Sequence, residues 1–162
     1  MTKKHIALIA VILSLSLLAA CGGKTAEIRD DVAVSDVSAA VSSVLGDDTL
    51  VAVPETYYAG SMKMDVSEFD GYDVRINSKG INIDEFGVFK AKDSSQVPAV
   101  EQAVNDYLQL RLKTWMEEYM PEEKPKLENA EVRTVGNYVM YAILSDDDKS
   151  EAFDAFNKSL TK

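Results

Sequence analysis

The sequence predicts an α+β domain: an antiparallel sheet of about four strands, packed against a long central helix and two shorter helices. Three observations predict it. Two strand-like runs lie ahead of a long amphipathic stretch, and two more, joined by Gly136-Asn137, lie after it. Apolar residues at helical spacing flank this arrangement on both sides. Strands and helices in this order are typical of one sheet covered by helices.

The chain begins with the pattern of a secretory signal. Lys3 and Lys4 form a basic start, and residues 6–17 form an apolar run with interspersed serines. A membrane-spanning anchor is an alternative, but a spanning helix needs about 20 apolar residues and this run is shorter.

Small residues and a cysteine end the signal. The stretch Leu18-Ala19-Ala20-Cys21 resembles a bacterial lipobox, in which signal peptidase recognises residues 18–20 and the thiol of Cys21 is lipidated. A plain secreted protein cut after Ala20 is the other alternative. We therefore expect residues 1–20 to be removed, residues 21–31 to form a lipidated tether, and residues 32–162 to form one domain.

The charge of the chain limits its partners. The 162 residues carry a formal net charge of −10, and loss of the two lysines of the signal takes it to −12. Such acidity argues against nucleic acid and against direct binding to an anionic membrane surface. The expected contact with the membrane is through lipid on Cys21, and an envelope protein is a candidate partner.

Residue counts exclude several chemistries. His5 is the single histidine and leaves with the signal, and Cys21 is the single cysteine. The mature chain therefore has no internal disulfide, no Ser-His-Asp or Cys-His machinery and no usual zinc ligand set. We expect no cofactor and no metal, and we expect that the protein is not an enzyme.

The first predicted elements are a helix over residues 32–45, which ends near Gly46, and a short strand over residues 50–53. Residues 72–77 alternate between apolar and polar and predict a half-buried strand. A second strand is expected over residues 81–89, bent at Gly87.

The longest predicted element is a helix that Ser94 or Ser95 caps and Pro121 ends. Arg111 lies within its apolar stripe, where either of two roles fits: holding an anion, or burying its stem while its head reaches water or an acidic partner. The pattern favours the second role. The stripe consists of Val97, Val100, Val104, Leu108, Leu112, Trp115 and Tyr119.

The two runs around Gly136-Asn137 predict a hairpin. Its second strand, residues 138–144, is apolar on both faces, so we expect it inside the sheet, with the long helix on one face and the helix of residues 32–45 on the other. Residues 145–148 lead into a last helix. Its apolar face consists of Ala152, Phe153, Phe156 and Leu160.

Acidic residues offer two candidate sites. Asp84 and Glu85 are adjacent, but neighbouring side chains of a strand point to opposite faces. The aspartates at 146–148 suggest a cation site, but no calcium-binding loop pattern surrounds them, and capping with the helix dipole explains them.

Four segments resemble landmarks of one bacterial lipoprotein family. They are residues 85–93 (EFGVFKAKD), 119–123 (YMPEE), 126–130 (KLENA) and 136–139 (GNYV). Together with the lipobox they are similar to the domain-of-unknown-function 4358 family (DUF4358), over most of residues 64–156. This resemblance implies no activity and no catalytic residues.

The sequence therefore predicts a lipid-anchored lipoprotein on the extracytoplasmic face of the cell membrane, acting as a binding or structural module of the envelope. One alternative is a hydrolase that works with carboxylates alone, which needs two acidic side chains about 5–10 Å apart. The other is a small solute-binding lipoprotein.

Overall fold

A five-stranded antiparallel sheet forms the centre of the structure, a computed structural model that describes residues 27–162. The strand order is β1-β2-β3-β5-β4. The α+β class predicted from the sequence is confirmed, with five strands where about four were expected. The strands are β1 (Leu50–Ala52), β2 (Gly71–Asn77), β3 (Glu85–Lys90), β4 (Glu131–Val135) and β5 (Tyr138–Ile143).

Helices cover both faces of this sheet. One layer consists of α1 and α4, and the other is built around α2, with short helical turns at Tyr58–Met62 and Pro121–Glu123. In the part of the chain from Glu27 onward, no helix is both long enough and apolar enough to cross a membrane. The helices are α1 (Val34–Leu45), α2 (Val97–Lys113), α3 (Lys124–Glu128) and α4 (Asp146–Leu160).

Alternation along the central strands divides the core into two parts. Phe86 and Val88 of β3 face α1 and α4, whereas Phe89 faces α2. Every residue of β5 is buried. The prediction that β5 lies inside the sheet is confirmed. The first helix lies on the predicted side of the sheet but packs chiefly on β2 and β3, and α4 is the helix that packs on β5.

Local signals in the sequence set several boundaries. Gly46 ends α1 in a left-handed conformation at φ 61°, which favours glycine. Ser145 caps α4 by accepting a hydrogen bond from the backbone N–H of Asp148. Gly136, at φ 56°, and Asn137 form the two-residue turn between β4 and β5. The helix end at Gly46 and the Gly136-Asn137 turn are confirmed as predicted, whereas the cap of α4 is Ser145 and the aspartates that were expected to cap it form its first turn.

The first strand became part of the sheet because it pairs with the free edge of β2. Leu50 lies opposite Asn77, and Ala52 lies opposite Arg75. The side-chain amide of Asn77 also donates to the Thr49 hydroxyl at 2.7 Å. This short strand is the fifth member that the predicted sheet lacked.

The second predicted strand is wrong in its start and in its bend. It begins at Glu85, because Asn82 accepts a hydrogen bond from the Asp84 N–H and holds a local turn. Pairing continues without interruption through Gly87, which lies opposite both Val74 and Tyr141. A Cβ at this position would overlap the ring of Tyr141 and lie 2.8 Å from Val74 Cγ2. Gly87 is therefore required by close packing.

The long helix is shorter than predicted. It ends at Lys113, where the Thr114 hydroxyl donates to the carbonyl of Leu110 at 2.8 Å and competes with continuation of the helix. Trp115 lies beyond the helix and is partly buried, and Tyr119 is 52% exposed. The apolar stripe thus stops before these two aromatic residues.

Candidate functional site

A buried carboxylate lies where the two central strands meet α2. Glu85 begins β3 and is 1% exposed, whereas a charged side chain is rarely buried unless it is paired. Tyr141 reaches it from β5, and Tyr107 and Arg111 reach it from α2. Tyr107 and Arg111 are four residues apart and therefore lie on one face of the helix. We call Glu85, Tyr107, Arg111 and Tyr141 the Glu85 cluster.

Both oxygens of Glu85 are hydrogen-bonded. The hydroxyls of Tyr107 and Tyr141 donate to Oε1 at 2.6 and 2.5 Å. Nη1 of Arg111 donates to Oε2 and also to the Tyr107 hydroxyl, the latter at 2.8 Å. A buried charge is tolerated when it is paired and hydrogen-bonded in this way. The charges of Glu85 and Arg111 therefore compensate each other, and each oxygen of Glu85 accepts at least one hydrogen bond.

The cluster fixes the protonation of its donors. Burial, reinforced by the Glu85 charge, raises the pKa of Tyr107 and raises that of Tyr141 well above the ordinary value for tyrosine. Burial alone would lower the pKa of Arg111, but Glu85 and Tyr107 outweigh it and the net shift is upward. Both tyrosines therefore remain protonated donors and Arg111 remains charged at neutral pH.

A cleft of about 190 Å³ opens beside the cluster. The Tyr57 hydroxyl stands 3.4 Å from that of Tyr107, and the Arg111 side chain is 25% exposed. In the described part of the chain, Arg111 makes both of its side-chain hydrogen bonds through Nη1. The lining is mostly polar and consists of Tyr57, Ile76, Asn77, Asn82, Ile83, Asp84, Glu85 and Arg111.

Asp84, the neighbour of Glu85, belongs to a separate ion-pair group. Lys126 Nζ lies 2.8 Å from the Asp84 carboxylate and 2.9 Å from that of Glu123. Burial raises the pKa of Asp84, although Lys126 opposes the shift. Asp84 and Glu85 are therefore engaged by different cations and do not form an acid pair with each other.

Larger grooves elsewhere on the surface lack such chemistry. One of about 440 Å³ lies between α2 and β4, and one of about 710 Å³ lies along residues 55–67. Neither is lined by a buried charged side chain. No group of three or more acidic, histidine or cysteine side chains within residues 27–162 is arranged to hold a metal ion.

The site residues predicted from the sequence fall in two classes. Leu18, Ala19, Ala20 and Cys21 lie outside the described residues. The head of Arg111 reaches an acidic partner, Glu85, in agreement with the role that the pattern favoured.

Sequence reasoning missed both tyrosines of the cluster. Tyr107 lies one helical turn before Arg111, and Tyr141 lies in a strand expected to be buried on both faces. A buried tyrosine hydroxyl usually finds a hydrogen-bond partner, so these positions did carry a signal. The sequence does not identify that partner, Glu85, because it comes close to Tyr141 only when β3 pairs with β5.

Residues 60–144 match the model of the family described as Domain of unknown function (DUF4358). The matched region contains the whole Glu85 cluster and leaves out α1 and α4. Comparisons with curated proteins and with solved structures found no match.

Proposed function

Since the chain belongs to the DUF4358 family, whose function is unknown, we propose from its own residues that it is a lipid-anchored lipoprotein of the extracytoplasmic cell surface, acting as a binding module of the envelope. The observation that carries the proposal is the lipobox at residues 18–21, behind a basic start and a short apolar run. Thiol lipidation places several acyl chains at one residue, which anchors a protein stably.

The anchor is tested by replacing its cysteine. Cys21→Ser removes the only thiol in the chain, so we expect loss of the lipid mass and release from membranes, or retention of the unprocessed signal. Thr25→Ser, four residues further on, is the matched control and should keep both lipid and membrane association. Unchanged mass and unchanged detergent partitioning in Cys21→Ser would contradict the proposal.

The Glu85 cluster supports binding over carboxylate catalysis. A glycoside-hydrolase mechanism needs one acidic side chain to give a proton and a second to act as base or nucleophile. Glu85 already accepts three hydrogen bonds, and Asp84 is held by Lys126. A neutralised, rigid cluster of this kind is better suited to shaping a recognition cleft, with the remaining guanidinium donors of Arg111 available to a polar ligand.

The cleft is tested by removing a hydroxyl at its mouth. The probe is purification of the full-length lipoprotein from crosslinked envelopes, with Tyr57→Phe compared against Tyr72→Phe. Tyr72 donates to Glu55 and does not line the cleft, which makes it a matched control. We expect loss of crosslinked partner with Tyr57→Phe alone. Equal recovery from both variants would place binding elsewhere on the surface.

A further inference from the structure

The segment ahead of α1 is fixed to the end of α4. Ile28 forms a bridge with Thr161, and the Arg29 N–H donates to the Leu160 carbonyl at 2.8 Å. In return, the N–H of Lys162 donates to the carbonyl of Glu27 at 3.0 Å. These backbone contacts add a short antiparallel connection outside the main sheet.

The same segment is fixed to the β4–β5 turn. The N–H of Asn137 donates to the Asp30 carboxylate at 3.3 Å, and the Tyr138 hydroxyl donates to the Val32 carbonyl at 2.6 Å. A Cβ on Gly136 would lie 2.6 Å from Asp30 and 2.7 Å from Ile28. Residues 27–32, most of which were expected to belong to the tether, thus pack on the domain. We call these contacts the clamp.

The clamp defines one end of the molecule, and the cleft lies at the other. β5 starts at Tyr138 beside the clamp and ends at Ile143, which pairs with Glu85. Six residues of strand separate the two ends by about 17 Å of backbone. The fifteen residues of α4 run in the opposite direction, from the cleft end back to the clamp end, and span about 22 Å. We call the two ends the clamp end and the cleft end.

We propose that the clamp end is the surface that faces the lipid headgroups and that the cleft end points away from the bilayer. The inference rests on the proposed lipidation of Cys21. Six peptide units join Cys21 to Glu27 and span at most about 21 Å. If the cleft end faced the bilayer, the connection from Cys21 to Glu27 would have to run fully extended along the whole of α4. No length would then remain to pass the loops and side chains at the cleft end.

The clamp is what makes the connection short. If the first fixed residue were Val34, where α1 begins, thirteen peptide units would follow Cys21 and could span about 45 Å. That length would allow any orientation of the domain. The contacts of residues 27–32 remove this freedom and present the cleft to partners on the outer side.

Two lysines near the clamp end are paired with acidic side chains. Lys90 lies 2.7 Å from Asp70, and Lys92 lies 3.0 Å from Glu68. Such pairs offer no single-sign patch to attract anionic lipid. Orientation through the tether is therefore expected to be insensitive to salt.

Two serine positions provide matched probes. Ser94 is exposed in the loop between β3 and α2 at the clamp end, and Ser78 is exposed in the β2–β3 turn at the cleft end. Lipidation consumes the thiol of Cys21, so a fluorophore attaches only to the new thiol in Ser94→Cys or Ser78→Cys. The full lipoprotein is reconstituted into vesicles whose headgroups carry a nitroxide quencher. We expect strong quenching at position 94, loss of quenching at position 78, and the same difference in high salt.

A second variant tests the cause of that difference. Inserting about twenty Gly and Ser residues after Gly23 lengthens the connection several-fold and should bring the two quenching levels together. Equal quenching without the insertion, in protein that floats with the vesicles, would overturn the orientation and leave the anchor intact. Protein that does not float would overturn the proposed function along with it.

Discussion

Replacing Glu85 by glutamine removes one charge from the Glu85 cluster while nearly preserving its volume. The native carboxylate accepts from Tyr107, Tyr141 and Arg111. The amide oxygen of glutamine can still accept from the tyrosines, but its NH₂ group would face the guanidinium, donor against donor. Arg111 would remain as a largely buried cation without its counter-ion.

The structure sets the size of the effect. Removing one partner of a buried ion pair costs about 3–5 kcal/mol. Because the Arg111 side chain is 25% exposed, water recovers part of its solvation, and we expect a loss near the lower end of that range. A loss of about 3 kcal/mol in a domain of this size lowers Tm by roughly 10 °C.

Urea unfolding followed by circular dichroism, on a soluble chain that begins at Lys24, measures this loss. Glu85→Gln, Arg111→Gln and the double variant form a cycle. Because each single change leaves the other group buried and unpaired, the double variant should lose at least about 1 kcal/mol less than the two single losses together.

A matched control separates this effect from surface electrostatics. Glu128 also forms an ion pair, with Lys124 at 3.5 Å, but the Glu128 side chain is 51% exposed. Glu128→Gln should therefore change stability by less than about 0.5 kcal/mol. A similarly small change for Glu85→Gln, or strictly additive losses in the cycle, would refute the reasoning.

Four further predictions use the same soluble chain. Gly87→Ala should cost about 1–3 kcal/mol in urea unfolding because its Cβ has no space, whereas Gly60→Ala, which meets no atom, should be close to neutral. Trp115→Ala should cost less than the roughly 3–5 kcal/mol of a core aromatic, because Trp115 is only partly buried; a full core-sized loss would contradict its placement. Folding raises the pKa of Tyr141, mainly by burial, so the stability that its protonated hydroxyl contributes is complete below about pH 10 and is lost as the pH rises further. Tyr141→Phe should therefore make the loss of stability at alkaline pH shallower. An unchanged dependence of stability on pH in this variant would contradict the prediction. Deleting residues 24–46 uncovers the α1 face and should cause self-association or binding of a hydrophobic dye, and a monomeric, dye-silent product would show that α1 covers nothing.

Local chemistry made much of the fold predictable. Gly46, Ser145 and the Gly136-Asn137 turn act within a few residues, so their effects can be derived from neighbouring positions alone. The doubly apolar pattern of β5 likewise required a central strand with cover on both faces.

The secondary-structure predictions were wrong or incomplete where a contact with a distant segment outweighed the local preference of the residues. Residues 81–84 look like the start of a strand but turn, with Ile83 donating to Glu123 from another segment at 3.2 Å. The sequence predicts a short strand over residues 50–53 but not its place in the sheet, because its partner, the outer edge of β2, lies more than twenty residues further along the chain. Gly87 suggested a bend because the side chains packed against it, the Tyr141 ring and Val74, belong to other strands.

The sequence by itself determined the α+β class, through the short-range periodicity of its apolar residues, and the family, through motifs such as residues 85–93 and 136–139. Only the tertiary structure decided which polar groups meet. Glu85, Tyr107 and Tyr141 are far apart in sequence, and a carboxylate can be buried only where several such donors converge on it. The tertiary structure also brought residues 27–32 against the end of α4 and the hairpin turn, through backbone hydrogen bonds that any sequence can make and that no residue pattern therefore records.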